Sequence, residues 1–347
     1  MAGSEMRGNG PQLVLVLLAI VGFLVVVAGL GDVRGDPRSA TSPEPTGQEP
    51  GTEGGDVDGA TPDPPDEPDA EPPGPETGTD AGRPAPRALP SGGRRVFADG
   101  RVLVAYYGTA GTGVLGVLGE AGPDAIMPRL RRTAAAYAGK QRPVQPVYEL
   151  IATVADRGRG PDGDFSHDIA RERVERYVRA ARRNRTLLVL DLQPGRSGFL
   201  ETARRWEWAL RDPWVGLALD PEWRMHGRQR PGQVIGHVTA AEVNRTSAWL
   251  ARLVRRHELP QKLFVVHQFR TAMVRDIGRV ERRPELAMVQ HVDGFGTPRQ
   301  KLATYAAVAR PQQFRMGFKL FYDEDVRRMR PAAVLAIRPR VRFVSYQ

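Results

Sequence analysis

Eight short apolar runs lie between Val102 and Tyr346, and each stops at polar residues suited to chemistry. In order they are VLVAYY, VQPVYEL, TLLVLDLQ, VGLALDPEW, KLFVVHQF, LAMVQHVD, FRMGFKLFY and VRFVSY. Helix-like segments separate most of them. Near-continuous Val/Leu/Ile runs alternating with helical periodicity indicate parallel strands buried on both faces. Eight such units in about 250 residues predict an α/β chain folded as a (β/α)8 TIM barrel, with its active site at the C-terminal strand ends. Glu149, Asp191, Asp220, Glu222, His267, Asp293 and Lys319 all fall at those ends.

Apolar spacing of three and four residues predicts helices near Asp124–Ala138, Ser166–Arg183, Gly198–Leu210 and Thr239–His257. Shorter helices are expected over Arg270–Val280, Pro298–Ala309 and Asp323–Ile337, the last broken at Pro331. The long Gly/Arg/Gln-rich segment Arg224–Val238 reads either as a lid or substrate wall or as a tolerated surface insertion.

Before the barrel the composition changes twice. Residues 12–30 are almost wholly apolar, about long enough to cross a bilayer. They predict a transmembrane anchor or a signal sequence, the poor Val26-Val27-Ala28 cleavage site favouring the uncleaved anchor. Residues 1–11 would form a cytoplasmic tail, with everything after the span outside the cell. Residues 31–94 carry fourteen acidic and five basic side chains among Pro, Gly and Thr, a composition that predicts a disordered acidic linker. The barrel domain, residues 95–347, holds 44 basic and 25 acidic residues, a net charge of +19. Only Lys140, Lys262, Lys301 and Lys319 are lysine, so the excess is arginine. It reads as a solvated surface with attraction to anionic wall polymers, and nucleic acid is not an expected partner. The absence of cysteine excludes thiol catalysis and sulfur-ligated zinc.

Strand four is the sharpest motif. Alternation puts Gly216, Ala218, Asp220 and Glu222 on one face and Val215, Leu217 and Leu219 on the other. Asp220 and Glu222 would then lie about 6–7 Å apart and point into one cleft. Two carboxylates in a pocket of low dielectric push their pKa values apart, which is what glycoside hydrolysis needs. The competing reading is a carboxylate pair salt-bridged to Arg224.

Asp220-Pro221-Glu222 resembles the Asp-x-Glu ending of chitinase-like and lysozyme-like glycoside hydrolase barrels, and Tyr106-Tyr107 is similar to the chitinase-like pattern. The resemblance implies that Glu222 protonates the glycosidic oxygen and that Asp220 helps the sugar's acetamido group act as nucleophile. The chain departs from that pattern at Val215 and Ala218, where further aspartates are expected, and at His291-Val292-Asp293, where a tyrosine–aspartate pair is expected. The whole chain also resembles an uncharacterised family of exported actinobacterial proteins.

The expected function is a glycoside hydrolase-like protein of a cell-wall or extracellular polysaccharide, without a cofactor. Tyr107, Glu149, Asp191, Gln193, Trp223, His267, His291, Asp293, Lys319 and Tyr322 are expected to line the substrate cleft. Two alternatives stay open. Asp, Glu and His at successive strand ends also assemble divalent-metal sites, and a barrel can bind glycans without chemistry. Lys319 reads either as a tuned amine or as a partner of Asp293 or Asp323. Gly111-x-Gly113-x-x-Gly116 matches a dinucleotide fingerprint only in form, since Leu115–Pro123 is too glycine-rich for the helix it requires; a flexible active-site loop is expected instead.

Overall fold

The computed structural model describes residues 88–347. The expected tail, the apolar span and the linker up to residue 87 lie outside the described residues. Among the described residues no helix is long and apolar enough to cross a membrane.

All eight expected strands form: β1 (Val102–Gly108), β2 (Val144–Ala155), β3 (Leu187–Leu192), β4 (Val215–Leu219), β5 (Lys262–His267), β6 (Leu286–Val292), β7 (Arg315–Leu320) and β8 (Val341–Tyr346). Each pairs in parallel with the next, and β8 returns to β1 through Leu103↔Phe343 to Tyr106↔Tyr346, so the sheet closes into a barrel. Outside it run α1 (Pro123–Ala135), α2 (Arg171–Asn184), α3 (Phe199–Arg205), α4 (Glu207–Leu210), α5 (Ala240–Arg256), α6 (Pro298–Val308) and α7 (Pro331–Ala336).

Strand alternation divides the core into two layers. Leu103, Ala105, Val147, Val189, Ala218, Val265, Val289 and Phe343 fill the barrel interior. Val104, Leu188, Leu190, Leu217, Leu219 and Phe264 face outward against Leu130, Tyr177, Val243 and Leu250 of the helices. Burying each such side chain fully contributes about 1.5–3 kcal/mol. Residues before β1 close the barrel base: Leu89, Val96 and Phe97 join the interior layer. Trp214 Nε1 donates to the Ala88 carbonyl at 2.8 Å, and Val96 N donates to Gln261 Oε1 at 3.1 Å.

Three expected helices differ. Arg270–Val280 folds as 3-10 turns at Thr271–Met273 and Ile277–Arg279 around a short strand, Val274–Arg275, that pairs with Val238–Thr239. Asp276 between them has φ of +54°, which a helix does not tolerate. Of Asp323–Ile337 only Pro331–Ala336 is helical; Pro331 starts the helix rather than breaking it, as its missing N–H allows. Upstream, Asp325 is drawn away from any helix because its carboxylate accepts from Gly296 N and Phe321 N and pairs with Lys301. Ser166–Asp168 forms an antiparallel strand against the end of β2, so α2 begins only at Arg171. Asp164 sets that turn by accepting from Ser166 N, Ser166 Oγ and Ser197 Oγ.

Candidate functional site

The inward positions at the C-terminal strand ends bring Tyr107, Glu149, Asp191, His267, His291, Asp293 and Lys319 into one buried network, with Gln193 at its edge. Tyr107 OH donates to Asp191 Oδ2 at 2.8 Å, and Gln193 Nε2 donates to Tyr107 OH at 3.3 Å. Burial, and then the charges of Asp191, Asp220 and Glu149, keep the phenol protonated. Lys319 sits with Nζ 3.4 Å from the Tyr107 ring centroid, a cation–π contact rather than the expected pairing with Asp293 or Asp323.

His267 is the hub. Its Nδ1 lies 2.9 Å from Asp293 Oδ2, and its Nε2 lies 3.3 Å from Glu149 Oε1 and 3.7 Å from Asp191 Oδ1. Burial opposes its charge, but the hydrogen-bonded carboxylate of Asp293 and the nearby carboxylates of Glu149 and Asp191 outweigh burial and raise its pKa well above the usual value. A fully buried imidazolium therefore stands between carboxylates on both ring nitrogens. His291 behaves in the opposite way. Burial, then the charges of His267, Lys319 and Lys301, hold it well below its ordinary pKa, so it is neutral, with Nε2 2.7 Å from Ser345 Oγ.

The network is short of hydrogen bonds. Both oxygens of Glu149, Asp191 Oδ1, Asp293 Oδ1, His267 Nε2 and His291 Nδ1 are buried without a hydrogen-bond partner. The carboxylates among them are paired with His267, an attraction stronger at low dielectric than in water. Despite these donors, no group of three or more His, Asp or Glu side chains among the described residues is arranged to hold a metal ion.

Asp220 and Glu222 follow β4, but strand parity does not carry through both. The strand ends at Leu219, and Pro221–Trp223 is a 3-10 turn capped by the Asp220 side chain, which accepts from Glu222 N at 3.3 Å. The two carboxylates are thus neighbours across a tight turn, not alternate residues of a strand; proline cannot continue the ladder. Asp220 is 3 % exposed, whereas Glu222 is only half-buried. Burial and the charge of Asp293 push Glu222 up to about 7 against the pull of Lys319, His267 and Arg270. Burial holds Asp220 well above the usual carboxylate range, with Asp191, Glu222 and Asp293 adding to it and His267 opposing. Burial likewise raises Asp191 to about 6, against the pull of His267.

Arg224, the sequence-level candidate for neutralising this pair, goes elsewhere: its Nε lies 2.9 Å from Glu242 Oε1. The segment that follows is anchored on both sides of Glu222. Met225 N donates to Gly195 O at 2.6 Å and Gly236 N to Glu222 O at 2.7 Å, so the Arg224–Val238 stretch walls the mouth. The glycine-rich stretch after β1 is open over residues 111–115 and packed over residues 116–119. Gly116 has φ of +132°, and a Cβ there would lie 2.3 Å from the Tyr107 carbonyl oxygen.

Trp223 is half-buried on the turn beside Glu222. Tyr322 stands apart from the carboxylates, its OH 3.3 Å from Tyr106 OH and its ring 5.4 Å from that of Tyr346. Sequence reasoning missed Ser345 and Phe343, which hold His291 from β8. Their inward parity was the available signal. It also missed that Lys262 and Lys301 are buried, as Lys319 is, each at most 3 % exposed. Lys262 Nζ donates to the carbonyls of Asp212 and Val215, both at 2.8 Å, and Lys301 to those of Gly294 and Lys319.

No protein-family profile matches the chain, and no curated protein matches it. Among solved structures it is similar to cellulose synthase subunit Z from Clostridioides difficile, at 10 % identity and a TM-score of 0.38, over 71 % of this chain and 91 % of that one. It is also similar to dihydropteroate synthase from Burkholderia cenocepacia, at 15 % identity and a TM-score of 0.29, over 71 % of this chain and 85 % of that one. Likenesses at this level say nothing about activity, and the barrel is established by its own strand pairing.

Proposed function

We propose that this protein is an exported, membrane-anchored glycoside hydrolase-like enzyme acting on a cell-wall or extracellular polysaccharide. Glu222 is the general acid and base, and Asp220 is the carboxylate that orients or stabilises the reacting sugar. The observation that carries this reading is the half-exposed Glu222 with a pKa near 7 beside buried Asp220, with Arg224 committed to Glu242 instead. A carboxyl poised near neutral pH can give its proton to a leaving oxygen and take one back from water. Asp293, at the mouth, accepts a sugar hydroxyl. Glu149 and Asp191, deeper in, keep His267 charged, and its field steadies negative charge at Asp220 and Glu222. Trp223 supplies a face for a sugar ring.

The test is reducing-sugar release from peptidoglycan and chitin fragments by the wild-type protein and by Glu222→Gln, each with and without EDTA. Release abolished by the substitution and indifferent to EDTA supports the two-carboxylate reading. A fully active Glu222→Gln variant overturns it. Release abolished by EDTA would turn the argument to a metal-dependent hydrolase. Saturable glycan binding without release, unaffected by the substitution, would make the barrel a binding protein.

A further inference from the structure

The end of the barrel opposite the carboxylates holds a cavity of about 510 Å³, at the N-terminal ends of β5, β6 and β7. Arg95, Arg282, Arg283 and Arg315 line it. The acids nearest in sequence are already engaged, Glu281 with Arg283 at 2.7 Å and Glu285 with Arg255 at 2.6 Å. Arg283 is further fixed by donating to Ser247 Oγ at 3.0 Å. Arg95, Arg282 and Arg315 have no ion-pair partner among the described residues. All three are exposed and line the same cavity, and the Arg315 guanidinium packs 5.2 Å from the Phe97 ring centroid.

The inner wall is apolar. Leu286, Met288 and Phe314 line it and are each at most 5 % exposed. A water molecule takes about 30 Å³ of liquid volume, so the cavity exceeds an inorganic anion several-fold. Guanidinium groups offer paired N–H donors that match a phosphate edge. A cluster of cations beside an apolar wall therefore fits an anion that carries an organic body.

We propose that this cavity binds an organic phosphate, with Arg95, Arg282 and Arg315 gripping the phosphate and Leu286, Met288 and Phe314 covering the body. The site lies at the base of the barrel and is independent of the chemistry proposed at the mouth.

The test uses the full chain with two probes: sn-glycerol 3-phosphate by calorimetry, and phosphatidylglycerol–phosphatidylcholine vesicles by co-sedimentation. The Arg282→Gln/Arg315→Gln pair is compared with Arg176→Gln/Arg179→Gln, which removes the same charge from the exposed face of α2. The expected result is saturable binding weakened tenfold or more by the cavity pair and less than threefold by the control pair. Loss on both probes identifies a soluble phosphate ester as sufficient; loss confined to vesicles identifies a lipid headgroup. Equal weakening by the two pairs means that the net charge of the domain attracts the anions, and it overturns the proposal. Absence of saturable binding on both probes overturns it as well.

Discussion

Replacing His267 by glutamine tests the central electrostatic claim, because glutamine keeps some hydrogen-bonding capacity but no charge. With the imidazolium gone, Glu149, Asp191 and Asp293 face one another in a dry interior. Removing one partner of a buried ion pair costs about 3–5 kcal/mol, a large share of the stability of a domain. For a domain of this size each kcal/mol moves the melting temperature by about 2–4 °C, so a drop of roughly 6–20 °C is expected at pH 7. The folded pKa of His267 lies above its unfolded value near 6.5. Its contribution is therefore complete below pH 6.5 and is lost as pH rises through the folded pKa. Urea unfolding of both proteins from pH 6 to 10 should show a gap that narrows as the medium becomes alkaline. A neutral histidine held by one hydrogen bond to Asp293 would instead be worth about 0.5–1.5 kcal/mol and would leave the gap flat. A loss below 2 kcal/mol that does not change with pH would refute the charged hub.

Three further outcomes follow from the geometry. If Glu222 acts as an acid, glycan turnover should fall above pH 7, since its carboxyl is protonated only below its pKa of about 7; a pH profile of kcat/KM with no alkaline limb near that value contradicts the assignment. Gly216→Ala should destabilise by about 1–3 kcal/mol or more, because the new Cβ would lie 2.4 Å from the Leu263 carbonyl oxygen inside the barrel; chemical denaturation checks it. Thr297→Ala removes the side-chain cap of α6, where Thr297 and Gln300 form a reciprocal capping box, and should cost about 0.5–2 kcal/mol in the same assay.

The strands were legible because parallel strands buried on both faces must be apolar almost throughout, and VLVAYY or KLFVVH has no other economical fold. The loops were not, because tertiary pairing decided them. Met273, Val274, Ile277 and Val280 have helical spacing, yet Val274 is taken by a strand from the neighbouring loop after β4. At the site, Tyr107, Glu149, Asp191 and His267 were legible as strand-end residues and do meet in one buried network, but the strand parity read for Asp220 and Glu222 does not extend through the turn. Asp220-Pro221 was the warning, since Asp at a cap followed by Pro at the first turn residue starts a helical turn. The carboxylate pair survives the change because the turn keeps both residues at the mouth. The arginine cavity could not be read from the chain at all: its four arginines come from three separated segments, and nothing local relates residues 95, 282 and 315.

The arginine excess, which as a sequence reads as a solvated surface, has a spatial order once the barrel closes. The order is local to each helix, acids at its start and arginines at its end. The first turns carry Asp124, Glu172, Glu201, Glu207 and Glu242, while the last turns carry Arg132, Arg182, Arg183, Arg204, Arg205, Arg255 and Arg256. Acids at the positive ends of helix dipoles and bases at the negative ends stabilise each helix by about 0.3–1 kcal/mol per charge. This arrangement does not sort charge between the two ends of the barrel, since Asp124 in the first turn of α1 pairs with Arg183 in the last turn of α2 at 2.6 Å; the ends differ for another reason. The mouth gathers carboxylates, whose burial and mutual repulsion raise Asp191 to about 6 and Glu222 to about 7 and hold Asp220 well above the usual range. The base gathers guanidinium groups, and at Arg95, Arg282 and Arg315 they exceed the acids available to pair with them. Neither the carboxylates of the mouth nor Arg95, Arg282 and Arg315 of the base lie on those helix ends, so the contrast between the two ends is set by the strand ends and the segments that join them.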